Sequence, residues 1–407
     1  MRIVLAVVLV GAFECGAAPA TPGAAQPGDA TTVPGGAPAD PVTRLLSAQP
    51  ASVCEGWAPT TEPDLMEARQ VVARGSHGCA RISSGRVRCW GANENAELGT
   101  CEDVAHTTVP VLFAGVEAAR DVATGRYATC VVDEAGALWC SAQVRQWLGA
   151  QGPGRIEGVD RALMVAVGDA HACAIVEGDR ALCFGRWDAG EALGPRAEVR
   201  DDGTDDGRGA GFVDLAQPKQ IVAGANHTCA LEGQGRVMCW GQNAFGQLGD
   251  PTVGAELGAN RGVPRRVVGL PYIEAIRADQ DTTCAVSDVG ELFCWGKGFG
   301  AKALGVGMPP ASSVAMGPGF VCVSTKNGGV SCGGEALGFA KPGQAGALAG
   351  FADIDEVAVG EGFVCGHRHD GMVLCQGDNA LGQLGGQHAG EASVLAPIKV
   401  LLGGVAL

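Results

Sequence analysis

Aromatic side chains are scarce in this chain. With 2 Tyr, 7 Trp and 11 Phe in 407 residues there is little material for the cores of long helices, and 65 Gly point instead to short strands joined by many turns. Positive charge is also in short supply, 29 Lys and Arg against 44 Asp and Glu, for a net charge of −15. A surface that negative, with no run of Lys or Arg, argues against nucleic acid as a partner and against electrostatic attachment to anionic lipid. Beyond the first few residues no segment approaches the roughly twenty apolar residues that a membrane-spanning helix needs. Histidines number only 7. There is no Ser-His-Asp arrangement, nucleophile elbow, phosphate-cradling glycine loop or helix-borne metal motif, so no enzymatic activity, cofactor or metal site is expected.

The N-terminus reads as an export signal over residues 1–20. Arg2 precedes the apolar stretch Ile3 to Phe13, and Ala18-Pro19-Ala20 offers a small-x-small cleavage site. Cys15 leaves a second reading open, lipidation as in a bacterial lipoprotein, although Glu14 stands where such sites carry a small residue. Residues 21–63, rich in Ala, Pro, Gly and Thr, are expected to form a disordered tether, with folded sequence over 64–407.

What the chain has is cysteine at a fixed interval. Fourteen of its 17 cysteines form seven Cys-x9-Cys pairs: Cys79/Cys89, Cys130/Cys140, Cys173/Cys183, Cys229/Cys239, Cys284/Cys294, Cys322/Cys332 and Cys365/Cys375. One spacing used seven times means one unit repeated seven times. A Gly stands five residues before the first cysteine in five units (Gly125, Gly168, Gly224, Gly317, Gly360), and Arg74 and Asp279 replace it in the other two. Another Gly stands six residues after it in six units (Gly85, Gly136, Gly235, Gly290, Gly328, Gly371). Leu-Gly closes every unit, at Leu98, Leu148, Leu193, Leu248, Leu304, Leu337 and Leu384. Pairing Cys229 with Cys239 produces a β-hairpin with the loop Gly233-Gln234-Gly235, whose last position favours a left-handed residue and hence Gly. The two cysteines then face each other at disulfide range, and an oxidising compartment would keep the bridges intact. Buried thiols are the plainer alternative; zinc fits worse, because the spacing is wrong. Cys54 and Cys101 remain, and a bridge between them would pin the entering chain to the first unit.

At Gly-Ala-Asn-His-Thr-Cys-Ala-Leu and Val-Met-Cys-Trp-Gly-Gln-Asn-Ala-Phe-Gly-Gln-Leu-Gly the chain resembles the RCC1 (regulator of chromosome condensation) repeat family. The resemblance covers residues 65–407. It is sharpest where Cys-Trp-Gly recurs at Cys89, Cys239 and Cys294 and weakest at Cys140-Ser-Ala and Cys332-Gly-Gly. It implies an all-β fold, a seven-bladed β-propeller with within-hairpin disulfides. Radial blades bury one another, which a lone hairpin cannot do. The final segment Ala396–Gly403 matches the piece that precedes other hairpins, so it is expected to complete the blade begun near the N-terminus.

Several residues could carry more than structure. His77, His171 and His227 share one repeat position, which predicts a structural hydrogen bond within the blade. His367 and His369 bracket Arg368 as a candidate metal pair with no third ligand, while His106 and His388 are lone loop residues. Asp201–Gly207 carries four carboxylates that would suit Ca²⁺, or simply a solvated loop. Pro195 to Pro218 and Asp250 to Pro264 depart most from the repeat, and binding is expected there. Together these features describe an exported, non-enzymatic, monomeric binding scaffold of a bacterial surface or medium, whose partner is another protein or an envelope component. Two alternatives stay open: a secreted inhibitor of an extracellular enzyme, since a bacterial β-lactamase inhibitory protein has this type of propeller, and a hydrolase or lyase with its site on the axis. The family's namesake activity, nucleotide exchange on Ran with chromatin binding, does not carry over to an acidic, disulfide-rich chain.

Overall fold

In the computed structural model the described residues are 40–47, 49–55, 67–186, 198–199, 208–250, 261–334, 345–386 and 391–402. They form seven antiparallel sheets, each continuous in sequence. Blade one is Ala68–Arg74, His77–Ile82, Val87–Ala92 and His106–Leu112; blade two is Ala119–Thr124, Thr129–Asp133, Leu138–Cys140 and Gly154–Arg155. Blade three is Ala162–Val167, His171–Val176, Arg180–Arg186 and Arg208–Asp214, with Glu198–Val199 added at its edge. Blade four is Pro218–Ala223, His227–Glu232, Val237–Gly241 and Arg261–Arg266; blade five is Ile273–Asp279, Thr282–Ser287, Leu292–Gly296 and Gly300–Gly305. Blade six is Ala311–Gly317, Phe320–Thr325, Val330–Gly334 and Gly346–Ala347; blade seven is Ile354–Val359, Phe363–Arg368, Val373–Asp378 and Ser393–Lys399. The first strand of each blade touches the first strands of both neighbours, including blade seven against blade one, so these strands line the axis of a closed seven-bladed β-propeller.

The hairpin register is the one the spacing predicts. The cysteines oppose each other directly in every blade: Cys79 and Cys89, Cys130 and Cys140, Cys173 and Cys183, Cys229 and Cys239, Cys284 and Cys294, Cys322 and Cys332, and Cys365 and Cys375. All seven pairs are disulfides with Cα–Cα distances of 4.0–4.1 Å. The second cysteine of each pair stands on the third strand, between the hairpin and an outer strand that the repeat spacing does not reveal. Cys183 lies between Cys173 and Gly211, and Cys375 between Cys365 and Ile398. Both are fully buried. Each turn needs a left-handed residue six positions after the first cysteine. Gly235 has φ +70° there, and blade three, the one unit without Gly, places Asp179 at φ +58°. Asp is among the few side chains that tolerate that region.

Apolar side chains gather in seven clusters, one in each seam between neighbouring blades. Strand alternation dictates this. Within Cys-Trp-Gly the disulfide faces the next blade, while Trp90, Trp240 and Trp295 face the preceding one. Trp90 Nε1 donates to the Gln383 carbonyl of blade seven at 2.8 Å, and Trp295 Nε1 to that of Gln247 in blade four at 2.9 Å. The Asn-x4-Leu-Gly loops are built to receive them: Asn243 Oδ1 accepts from Leu248 N at 3.1 Å, and Asn379 Oδ1 from Leu384 N at 3.1 Å.

Four expectations change. The last strand, Ser393–Lys399, pairs with Val373–Asp378 of its own blade and does not complete blade one. The ring closes by side-to-side packing, where Val394, Val400 and Leu402 share a core with Val71, Ile82 and Trp90, because blade one already owns four strands. The tether ends earlier than residue 63. Pro41–Leu46 is a helix capped by Asp40, whose Oδ1 accepts from Val42 N (3.0 Å) and Thr43 N (3.1 Å), and Val42, Leu45 and Leu46 pack between blades two and three. Their i, i+3, i+4 spacing makes one apolar face, which the surrounding low-complexity composition obscured. The segments Pro195–Pro218 and Asp250–Pro264 are not wholly loop, since Arg208–Asp214 and Arg261–Arg266 are outer strands. His106 opens a strand and does not sit in a loop. The export segment, Cys15, Asp201–Gly207 and His388 lie outside the described residues.

Because the seam between blades seven and one has no shared sheet, its core carries the closure. Leu402→Ala, at a side chain only 3% exposed, is expected to lower stability by about 2–4 kcal/mol, read as a shift in denaturant midpoint. A shift below about 0.5 kcal/mol would show that closure does not depend on this contact.

Candidate functional site

At the axis the repeat glycines are a steric requirement. A Cβ on Gly168 would lie 2.8 Å from the Gly224 carbonyl oxygen, and one on Gly224 would lie 2.4 Å from that of Gln280. Where the repeat breaks this rule, the two exceptions find each other. Arg74 of blade one reaches across the axis, and its Nε donates to Asp279 Oδ1 of blade five at 2.9 Å. Its Nη2 donates to Asp169 Oδ1 at 3.2 Å, and its Nη1 to the carbonyls of Val167 and Ala223, each at 2.9 Å. Arg74 is 7% exposed and Asp279 6%. Burial pushes the Asp279 carboxyl up, and the Arg74 guanidinium pulls it back. This plug divides the axis into a recess of about 10 Å³ beside Gly75, Arg126 and Glu361 and a well of about 200 Å³ on the other side.

A second repeat position, nine residues before each first cysteine, holds Gln70, Asp121, Met164, Gln220, Ala275, Ser313 and Glu356, and all but Ala275 and Ser313 line the well. Five of these reach the inner strand of the following blade. Gln70 Nε2 donates to Val122 O (3.2 Å), and Asp121 Oδ2 accepts from Val165 N (3.0 Å). Gln220 Oε1 accepts from Ile276 N (2.8 Å), Ser313 Oγ from Val357 N (3.0 Å) and Glu356 Oε2 from Val71 N (3.4 Å). Burial pushes the Asp121 and Glu356 carboxyls up, and Arg277, 3.5 Å from Glu356, partly offsets this for the latter. Sequence reasoning missed this girdle, although a polar residue recurring at one offset was available as the signal.

The repeated histidines do make structural hydrogen bonds, but between blades and not within them. Nε2 of His77, His171 and His227 is bonded to Oγ1 of Thr129, Thr228 and Thr283 of the next blade at 3.0, 2.8 and 2.8 Å. Each is fully buried, which pushes its pKa down to about 3. His367 Nε2 is hydrogen-bonded to Ala68 O of blade one (3.0 Å), while the exposed His369 pairs with Asp355 (3.2 Å), so the two are not brought together. Among the described residues no group of three candidate ligands could hold a metal.

Cys54 and Cys101 are bridged, with Cα atoms 5.4 Å apart. The entering segment is fixed to blade two as well. Arg145, fully buried on the short helix Ala142–Gln146, donates to the carbonyls of Gln151 (2.8 Å) and Gly152 (2.9 Å) and to that of Pro50.

The end of the propeller that carries the plug also carries its variable connections. Successive strands in a blade alternate direction, so the turn after the first strand and the link from third to fourth lie at the same end. The strand ends that flank 93–105, 141–153, 187–207, 242–260, 335–345 and 379–392 face that end, while the hairpins and blade-to-blade connectors at the opposite end are short. At the plug end Arg126 stacks over the exposed Tyr127 (5.3 Å) and Lys297 over the exposed Phe245 (5.2 Å).

A closed ring of seven four-stranded blades, stitched by a disulfide in every hairpin, is a repeat propeller of the scaffold type. Two models described as the regulator of chromosome condensation (RCC1) repeat match residues 219–247 and 234–286. The ultraviolet-B receptor UVR8 of Arabidopsis thaliana is 28% identical over 253 residues, 59% of this chain and 55% of its own. The mitochondrial RCC1 domain-containing protein RUG3 of the same plant is 30% identical over 212 residues, 48% of this chain and 44% of its own. The chain therefore spans about half the length of these relatives. Human WBSCR16 superposes with a TM-score of 0.65 at 17% identity, covering 77% of this chain and 93% of that one. Yeast RCC1 (Prp20), crystallised bound to Kap60, gives 0.50 at 16% identity, covering 81% and 74%. Residues 219–286 carry the RCC1 repeat pattern, and the chain is similar to RCC1-repeat proteins over about half its length.

Arg74→Gly alone strands Asp279 as a buried charge and is expected to cost about 3–5 kcal/mol. Adding Asp279→Gly returns both positions to the repeat residue and should recover most of that loss in denaturant titrations; an equally large loss in the double variant would refute the coupling. For the histidines, the unfolded chain takes up protons near pH 6.5 and the native state only near 3. Stability must therefore fall as pH drops through that window. The raised Asp121 and Glu356 act in the opposite sense, holding protons in the native state that the unfolded chain has released. His227→Gln is expected to flatten the fall in melting temperature between pH 6.5 and about 4, and an unchanged slope would rule the histidine out as its source.

Proposed function

We propose that this protein is an exported, non-enzymatic binding scaffold that engages a partner protein or envelope component through the plug end of the propeller. The observation that carries this is that the strand ends flanking the long variable links face one end of a framework whose other connections are short. Loops on a rigid scaffold are where recognition concentrates. A disulfide in every blade supplies the rigidity, and Tyr127 and Phe245 are aromatic anchors of the kind interfaces use. Export fits both the N-terminal signal pattern and sixteen cysteines in eight bridges. A non-catalytic role is supported by the repeated histidines, which are held neutral in seam bonds rather than free to move protons.

The test begins with fractionation of the producing cell, where the chain is expected in the envelope or medium, followed by capture of its partner by cross-linking. Replacing residues 187–207 and 251–260 by short turns should then weaken binding by about tenfold or more, 1.4 kcal/mol, with the melting temperature kept. Affinity that survives both replacements, or a chain retained in the cytoplasm, would overturn this function.

A further inference from the structure

The well on the hairpin side of Arg74 has two unlike walls. Asp121 of blade two and Glu356 of blade seven, flanking Gln70 of blade one, place carboxylates on one side. Ile221 of blade four lines the far side, and on the neighbouring blade five Arg277 reaches toward Glu356. Its Nη2 stands 3.5 Å from Glu356 Oε1, a long ion pair that a ligand bearing both charges would replace with two closer ones. Ile221 holds the same register as Ile276, Val165, Val357 and Val71, eight residues before the first cysteine of its blade, and these residues turn their N–H groups toward the preceding blade's girdle side chain. For Ile221 the preceding girdle residue is Met164, whose thioether is at best a weak acceptor. An axial N–H and a guanidinium thus share a side of the well whose one carboxylate, Asp279, is already held by Arg74, while the facing carboxylates bear a desolvation cost that a cationic group would relieve. At about 200 Å³ the well is smaller than the roughly 300–1,000 Å³ of drug-sized pockets.

We propose that this well binds a small zwitterionic amino acid, with its carboxylate at Arg277 and the Ile221 N–H and its ammonium at Asp121 and Glu356. The site is independent of the loop end. Variants shortened at 187–207 and 251–260 should keep it, so its failure and that of the scaffold function are separable.

Calorimetric titration of the intact protein with glycine, L-alanine, methylammonium and acetate tests it. Glycine or L-alanine is expected to bind at least about tenfold more tightly than either single-charge probe. Arg277→Gln should weaken that binding by about tenfold or more. Met164→Gln gives Ile221 the acceptor that Gln220 gives Ile276; it should weaken binding while holding or raising the melting temperature, which distinguishes occupation of the site from misfolding. Methylammonium or acetate binding as tightly as the amino acids, no binding by any probe, or full affinity in both folded variants would each overturn the proposal.

Discussion

Seven inner strands converge on one axis, and each presents there the edge that its own sheet leaves unpaired. An unpaired backbone edge is costly when buried and a pairing hazard when exposed. The propeller meets this constraint with side chains. Gln70, Asp121, Gln220, Ser313 and Glu356 each serve the backbone of the following blade, and Arg74 takes the carbonyls of Val167 and Ala223. Since each such bond joins one blade to the next, satisfying the edges also orders the ring. The polar character of the axis follows from backbone accounting before any ligand is considered.

Outside the axis the logic is that of neighbours. No blade buries its apolar face alone, and each of the seven cores draws on two blades. Stability in such arrays is a sum of unit and interface contributions. The units here are short hairpins rich in glycine, which lose much entropy on folding. A bridge between directly opposed cysteines constrains each hairpin in the unfolded chain, so a unit with little core of its own reaches its seam already shaped. His77–Thr129, His171–Thr228 and His227–Thr283 then fix the alignment of blades at three seams.

What belonged to one repeat was legible in the sequence. The hairpin, its register and its left-handed turn follow from Cys-x9-Cys and the glycine six residues on, and even the exception at Asp179 obeys the same backbone demand. What joined repeats was not. A histidine two before one cysteine and a threonine one before the next are partners only once the ring brings them together. Arg74 and Asp279 stood out as broken positions, but nothing local to either reveals a contact spanning 205 residues. The closing strand was misassigned for a related reason: likeness to the piece before other hairpins says what a segment is, not which sheet it joins. The girdle was hidden by its chemistry, because Gln, Asp, Ser and Glu perform one task and do not look alike.

A hoop of seven plates hinged along their sides resists stretching but gives readily when squeezed into an oval, since each hinge need turn only a little. Arg74 is a spoke. It holds blade one to blades three, four and five through the centre, so flattening the hoop in that direction must break charge-assisted hydrogen bonds as well as bend the hinges. Around the rim, blades six and seven separate blade five from blade one; across the middle the Arg74 side chain joins them. A load applied to the long links of blades three and four therefore reaches blade one directly, without passing through the blades between.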